Sequence, residues 1–169
     1  VVHWAYLVGD TFLVGGLVTL FRYLAMRGDG SNEGLAALAL AFGTLAFTLD
    51  AASSGIHLFA FPPAITANTA GLQAIYDATG AANAGIGAAS SALACLGLIV
   101  LGVALKRGGW SAGLASGVIV IGALEFLLAV IPTFTGSPIG PTGLVGNLIG
   151  LPMPLAYVAV GAAFRNASA

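Results

Sequence analysis

Apolar sequence in this chain comes in runs of about twenty residues, the length at which an α-helix rising about 1.5 Å per residue crosses the hydrocarbon core of a bilayer. Five such runs stand out, at roughly 4–26, 34–59, 83–105, 110–131 and 143–164. Turn-forming sequence separates them: RGDGSNEG at 27–34, Pro62-Pro63 after the second run, KRGG at 106–109 and PTFTGSPIGPTG at 132–143. Only 7% of the 169 residues are charged and 59% are hydrophobic, against about 25% charged in an ordinary soluble domain. Such a chain is expected to fold as an all-α integral membrane protein: one domain over 1–169, a bundle of about five transmembrane helices, with 60–82 as a long loop.

The five cations set an orientation. Arg22 and Arg27 lie at or just beyond the end of the first run, Lys106 and Arg107 between the third and fourth, and Arg165 after the fifth, while 60–82 and 132–142 hold no Lys or Arg. By the positive-inside rule the first and third loops and the C-terminus are expected to be cytoplasmic, and the N-terminus and the loops at 60–82 and 132–142 outside. An outside N-terminus beginning at Val1 rather than Met is expected to follow a cleaved signal or a further upstream helix. The expected location is the cytoplasmic membrane of a prokaryote.

A net charge of −1 leaves no basic face for nucleic acid, so nucleic-acid binding is set aside. Cys95 is the one cysteine, so neither a disulfide within the chain nor a Cys-x-x-Cys site can form, and it reads as a small buried core residue. Gly113–Gly117 and Gly146–Gly150 are GxxxG pairs of the kind that let membrane helices approach closely. The face carrying Gly113, Gly117 and Ile121 is expected to point into the bundle, together with Glu125. Pro152 and Pro154 are expected to kink the fifth run and free backbone carbonyls.

The unusual content of the apolar runs is acidic. In LDAASSGIHLF, residues 49–59, Asp50, Ser54 and His57 fall on one helical face, and the first run repeats the pattern in reverse order with His3, Tyr6 and Asp10. If the first two runs are antiparallel neighbours, Asp10 and Asp50 come to similar depth in the outer half, with His3 and His57 nearer the outer surface. Glu125 falls at about that depth on the fourth run. An ionised carboxylate at membrane depth costs several kcal/mol unless paired, hydrated or protonated. No intramembrane Lys or Arg is placed to neutralise these acids, so protons or a metal cation would have to do so. Asp10, Asp50, Glu125, His3 and His57 are therefore the candidate cation or proton site. The seven-residue spacing separates each His from its Asp by about 10 Å along the axis. One ion would have to choose the carboxylate layer or the histidine layer. The same acids can also be read as packing contacts, bonded to Ser53, Ser54, Asn83, Ser90, Ser91 or Asn147 of adjacent helices.

No catalytic triad, phosphate-binding loop, dinucleotide fingerprint or metalloprotease motif is present, so the chain is not expected to be an enzyme. Two functions fit. The first is a non-catalytic accessory subunit of a larger membrane complex, embedded in the lipid bilayer and packed against other membrane protein subunits or copies of itself. The alternative is a stand-alone cation- or proton-binding membrane protein built on Asp10, Asp50 and Glu125, with His3 and His57 at its mouth.

Overall fold

The computed structural model describes residues 2–26, 32–60, 62–63, 65–66, 71, 73–131 and 152–168, and their side chains from residue 8 onward except at 129, 167 and 168. Among them there is no strand. The helices are α1 (Val2–Met26), α2 (Glu33–Gly55), α3 (Gln73–Arg107), α4 (Ala112–Glu125) and α5 (Pro152–Ser168). Two of them continue into a π-helical turn, α2 through Ile56–Ala60 and α4 through Phe126–Val130.

Three segments are long and apolar enough to cross a membrane: Val8–Met26, Glu33–Ala60 and Gln73–Arg107. Ala112–Leu128 is apolar but shorter, and Pro152–Ser168 has 17 residues. The first nine residues of the fifth apolar run, 143–151, lie outside the described residues, as does the Gly146–Gly150 pair.

Helix α3 begins at Gln73, ten residues ahead of the boundary that hydropathy suggests, so 73–82 belongs to a helix and not to the loop assigned to 60–82. The reason is local. Gln73 donates to the Asp77 carboxylate at 2.8 Å across one helical turn, and Thr79 Oγ1 donates to the Ile75 carbonyl at 2.8 Å. An alanine-rich stretch with such i, i+4 support stays helical beyond the apolar zone. With 35 residues, α3 is about 52 Å long, well beyond a hydrocarbon core of about 30 Å.

Neighbours in sequence are neighbours in space: α1 packs on α2, α2 on α3, α3 on α4 and α4 on α5. The closest approaches run through glycines of α3 and its partners. A Cβ added at Gly97 would sit 3.4 Å from the backbone nitrogen of Gly43, and one at Gly102 would sit 2.8 Å from the Ala115 carbonyl oxygen. At Gly122 it would meet the Cys95 carbonyl oxygen at 2.8 Å, and Cys95 itself is buried in that contact region. The KRGG turn closes α3 through Gly108 N–H to the Ala104 carbonyl and Trp110 N–H to the Leu105 carbonyl. Gly109 there takes φ +77°, which only glycine adopts easily. Ser111 then caps α4, its side chain accepting from Leu114 N–H at 3.3 Å.

The apolar core occupies one half of the bundle. It joins Leu20 and Leu24 of α1, Ala36 and Ala39 of α2, Leu98 to Leu105 of α3, Ala115 and Val118 of α4, and Ala156 and Val160 of α5. These are the halves of the helices nearest Arg22, Lys106, Arg107 and Arg165. Two threonine hydroxyls are satisfied within their own helix: Thr19 donates to Gly15 O and Thr48 to Thr44 O.

The glycine face of α4 corrects one expectation. Gly113 and Gly117 are exposed, with no atom within 4 Å of where a Cβ would stand, so they do not point into the bundle. They line, with Ile121, Pro152 and Leu155, an apolar groove of about 380 Å³ between α4 and α5. The prolines differ too. Pro152 and Pro154 stand in the first turn of α5, where the missing N–H has no helical partner to lose, and they start the helix instead of kinking it.

These two classes of glycine should respond differently to a methyl group. Gly122→Ala is expected to lose about 1–3 kcal/mol of stability, because a backbone carbonyl blocks the new carbon. Gly117→Ala should be neutral or stabilising by up to about 1 kcal/mol. Unfolding in mixed detergent micelles, followed by circular dichroism, measures both, and equal effects would contradict the close α3–α4 approach.

Candidate functional site

The polar side chains gather in the half of the bundle away from the cations. Asp10 of α1 and Asp50 of α2 are direct neighbours, each carboxyl within hydrogen-bonding and charge reach of the other. Asp10 is only 7% exposed and Asp50 is half-buried. The Oδ2 atom of Asp10 is fully buried and receives no hydrogen bond. Two ionised carboxylates offer only acceptors to each other, so a hydrogen bond between them requires that one carry a proton. Two ionised carboxylates this close repel each other, and a proton or a cation between them is what relieves that repulsion.

Along α2, the next polar turn faces α3. Ser53 Oγ donates to Asn83 Oδ1 at 2.9 Å, and about two turns further in Ser90 Oγ donates across to the Ala46 carbonyl at 2.9 Å. Ser54 is buried at 5% exposure. These bonds fix the register of α2 against α3 on the polar side, as the Gly43–Gly97 approach does deeper in. His57 follows inside the π-helical turn, its Nδ1 at 3.1 Å from the Ser53 carbonyl. Since a carbonyl only accepts, Nδ1 carries the proton in this contact.

Glu125 occupies a different place. It is 5% exposed, and its Oε1 accepts from the Met153 N–H at 2.9 Å. Met153 is the second residue of α5, so the carboxylate caps the positive end of that helix, where N–H groups lack helical acceptors. Cys95 and Tyr157 are within its electrostatic reach. The π-helical turn begins at the next residue, and Ile131 N–H donates five residues back to Phe126 O.

Of the five sequence candidates, then, the structure joins Asp10 to Asp50, places His57 about two turns beyond Asp50, and sets Glu125 against α5. The side chain of His3, like that of Tyr6, lies outside the described residues. Among the described residues no three His, Cys, Asp or Glu side chains converge in a group able to hold a metal ion. Ser53, Asn83 and Ser90 bond with each other or with backbone rather than with the acids. Two participants escape a reading of spacing alone: Met153, which serves through its backbone N–H, and Asn32, whose Nδ2 donates to the Ala104 carbonyl at 2.9 Å at the cationic end. A turn-type Asn just ahead of α2 was the available signal for the second; for the first there was none.

Set beside known proteins, the chain matches no family model, no curated protein and no solved structure.

The cap can be tested separately from the acid pair. Glu125→Gln keeps an oxygen acceptor for Met153 N–H and is expected to change stability by less than about 1 kcal/mol, whereas Glu125→Leu strands that N–H and should cost about 1–3 kcal/mol. Amide hydrogen exchange at the start of α5 should accelerate only in Glu125→Leu. Acceleration in neither variant would remove Glu125 from the capping role.

Proposed function

We propose that this chain is a multi-pass membrane protein that binds a single proton between Asp10 and Asp50. The observation that carries the reading is the contact of two carboxyls on adjacent apolar helices, one of them nearly buried with an oxygen that receives no hydrogen bond. A shared proton removes the charge that lipid would oppose. Two carboxyls alone make a poor seat for zinc or a transition metal, which take at least three protein ligands in most sites. His57, further along α2, has an imidazole that can donate a hydrogen bond from one ring nitrogen and accept at the other, and the reading gives it the role of the group through which the pair communicates with the outside.

In the same reading the apolar runs at 143–151 and Pro152–Ser168 together complete a fifth span, and the cationic end faces the cytoplasm, in line with the positive-inside rule. The acid pair then sits in the outer half. No catalytic step is assigned to the chain.

A second reading draws on a different observation, the open groove carrying Gly113 and Gly117. A glycine pair facing out of the monomer suits close approach by another membrane helix, as an accessory subunit would need. The proton-binding site and a role within a larger assembly are compatible.

Infrared spectroscopy of the reconstituted protein tests the main proposal. The spectrum of the wild type minus that of the Asp10→Asn/Asp50→Asn variant is expected to contain a protonated-carboxyl C=O band that shifts in deuterated water, with Glu125→Gln leaving it in place. Absence of that band from the difference would overturn the proposal. Tighter retention of a metal by the wild type than by the double variant would replace the proton with a cation.

A further inference from the structure

The cationic end of the bundle carries an organised ring of aromatic side chains. Tyr23 of α1 meets Trp110, in the link between α3 and α4, edge-to-face with centroids 6.0 Å apart, and meets Phe164 of α5 edge-to-face at 5.0 Å. These contacts draw the ends of three helices together, and each ring has a cation as a close sequence neighbour: Arg22 beside Tyr23, Arg165 beside Phe164, and Lys106 with Arg107 shortly before Trp110. All four cations are exposed. Among the described residues the one acid at this end is Glu33, at the start of α2, and no Lys or Arg lies at the opposite end.

We infer that this rim is a binding surface for the phosphate headgroups of anionic phospholipids. The charge asymmetry selects an anion. The place of the cations selects its source: all four stand exposed at the ends of apolar helices, around an aromatic cluster whose Tyr23 hydroxyl and Trp110 indole nitrogen are turned into the protein, so the phosphates within their reach belong to lipid. Long Arg and Lys side chains reach from helix ends to that level while their stems stay on apolar surface. Juxtamembrane clusters of four or more cations attract anionic lipid with a strength that adds from one cation to the next. The inference rests on the reading of the bundle as membrane-spanning and is independent of the acid pair.

The chain has two tryptophans, so Trp4→Phe leaves Trp110 as the sole reporter, already placed within the aromatic ring. The full-length Trp4→Phe protein is reconstituted into vesicles of phosphatidylcholine and phosphatidylglycerol, with brominated acyl chains on one lipid or the other. Quenching of Trp110 by the brominated anionic lipid is expected to report roughly three- to tenfold enrichment over its bulk fraction. Adding Arg22→Gln, Lys106→Gln, Arg107→Gln and Arg165→Gln should abolish the preference, and Arg22→Lys with Arg165→Lys should keep it. Equal quenching by the two lipids, or a preference that survives the four glutamines, overturns the inference. Flotation after an alkaline wash separates the two failures: a protein that does not float with the vesicles refutes the spanning reading, and one that floats without lipid preference refutes only the rim.

Discussion

Everything else in this bundle depends on how closely α3 approaches its neighbours. Between helices in lipid there is little hydrophobic gain from association, because the hydrocarbon around them is as apolar as leucine, so close packing and interhelical hydrogen bonds have to supply the attraction. Helix α3 meets this condition on two sides. Gly97 lies against Gly43 of α2, and Gly102 and Cys95 lie against Ala115 and Gly122 of α4. Once α2 is held at that distance, Ser90 reaches the Ala46 carbonyl and Ser53 reaches Asn83. The register of α2 in turn decides which of its residues meets α1, and that residue is Asp50.

The bundle is consequently divided along its length. Near the cations the interior is leucine, alanine and valine with a ring of aromatics at the edge. Toward the other end it holds a carboxyl pair, a serine–asparagine contact, and a histidine. In the proposed reading, this division would leave a proton bound by Asp10 and Asp50 open to exchange from the polar side only. Nothing in the described core offers a chain of exchangeable groups across the apolar half; Thr19 and Thr48 are bonded to their own helices.

The parts of this fold legible in the sequence were those governed by length and composition. Apolar runs mark helices wherever they fall on the described residues, and Gly108-Gly109 mark the end of α3, with a positive φ at Gly109. The start of α3 was not legible from hydropathy, which measures affinity for lipid, while helix propensity and the Gln73–Asp77 contact act equally well in water. Of the site, the proximity of Asp10 and Asp50 could be anticipated from reversed spacing on two antiparallel neighbours. The position of Glu125 could not, since its partner is a backbone N–H of a helix whose start is set by Pro152, and backbone partners leave no trace in residue type. The glycine pattern misled for a related reason: Gly122 and Gly117 are alike as letters, and only the course of α3 makes one a contact and the other a gap.

The two π-helical turns bear on the history of such a chain. Each lies directly beyond polar residues, Ser53–Ser54 in α2 and Glu125 in α4, and each accommodates one residue more than an α-helix would over the same length. A residue gained in a regular helix turns everything after it by about 100° and moves a buried face outward; a π-turn absorbs the gain locally and leaves the helix on either side in phase. Such turns are places where a single-residue insertion would be absorbed. A chain of common descent that differed by one residue inside either turn would therefore keep its helix faces in phase, and an alignment without a gap there would pair the wrong residues beyond Ile56 or Phe126.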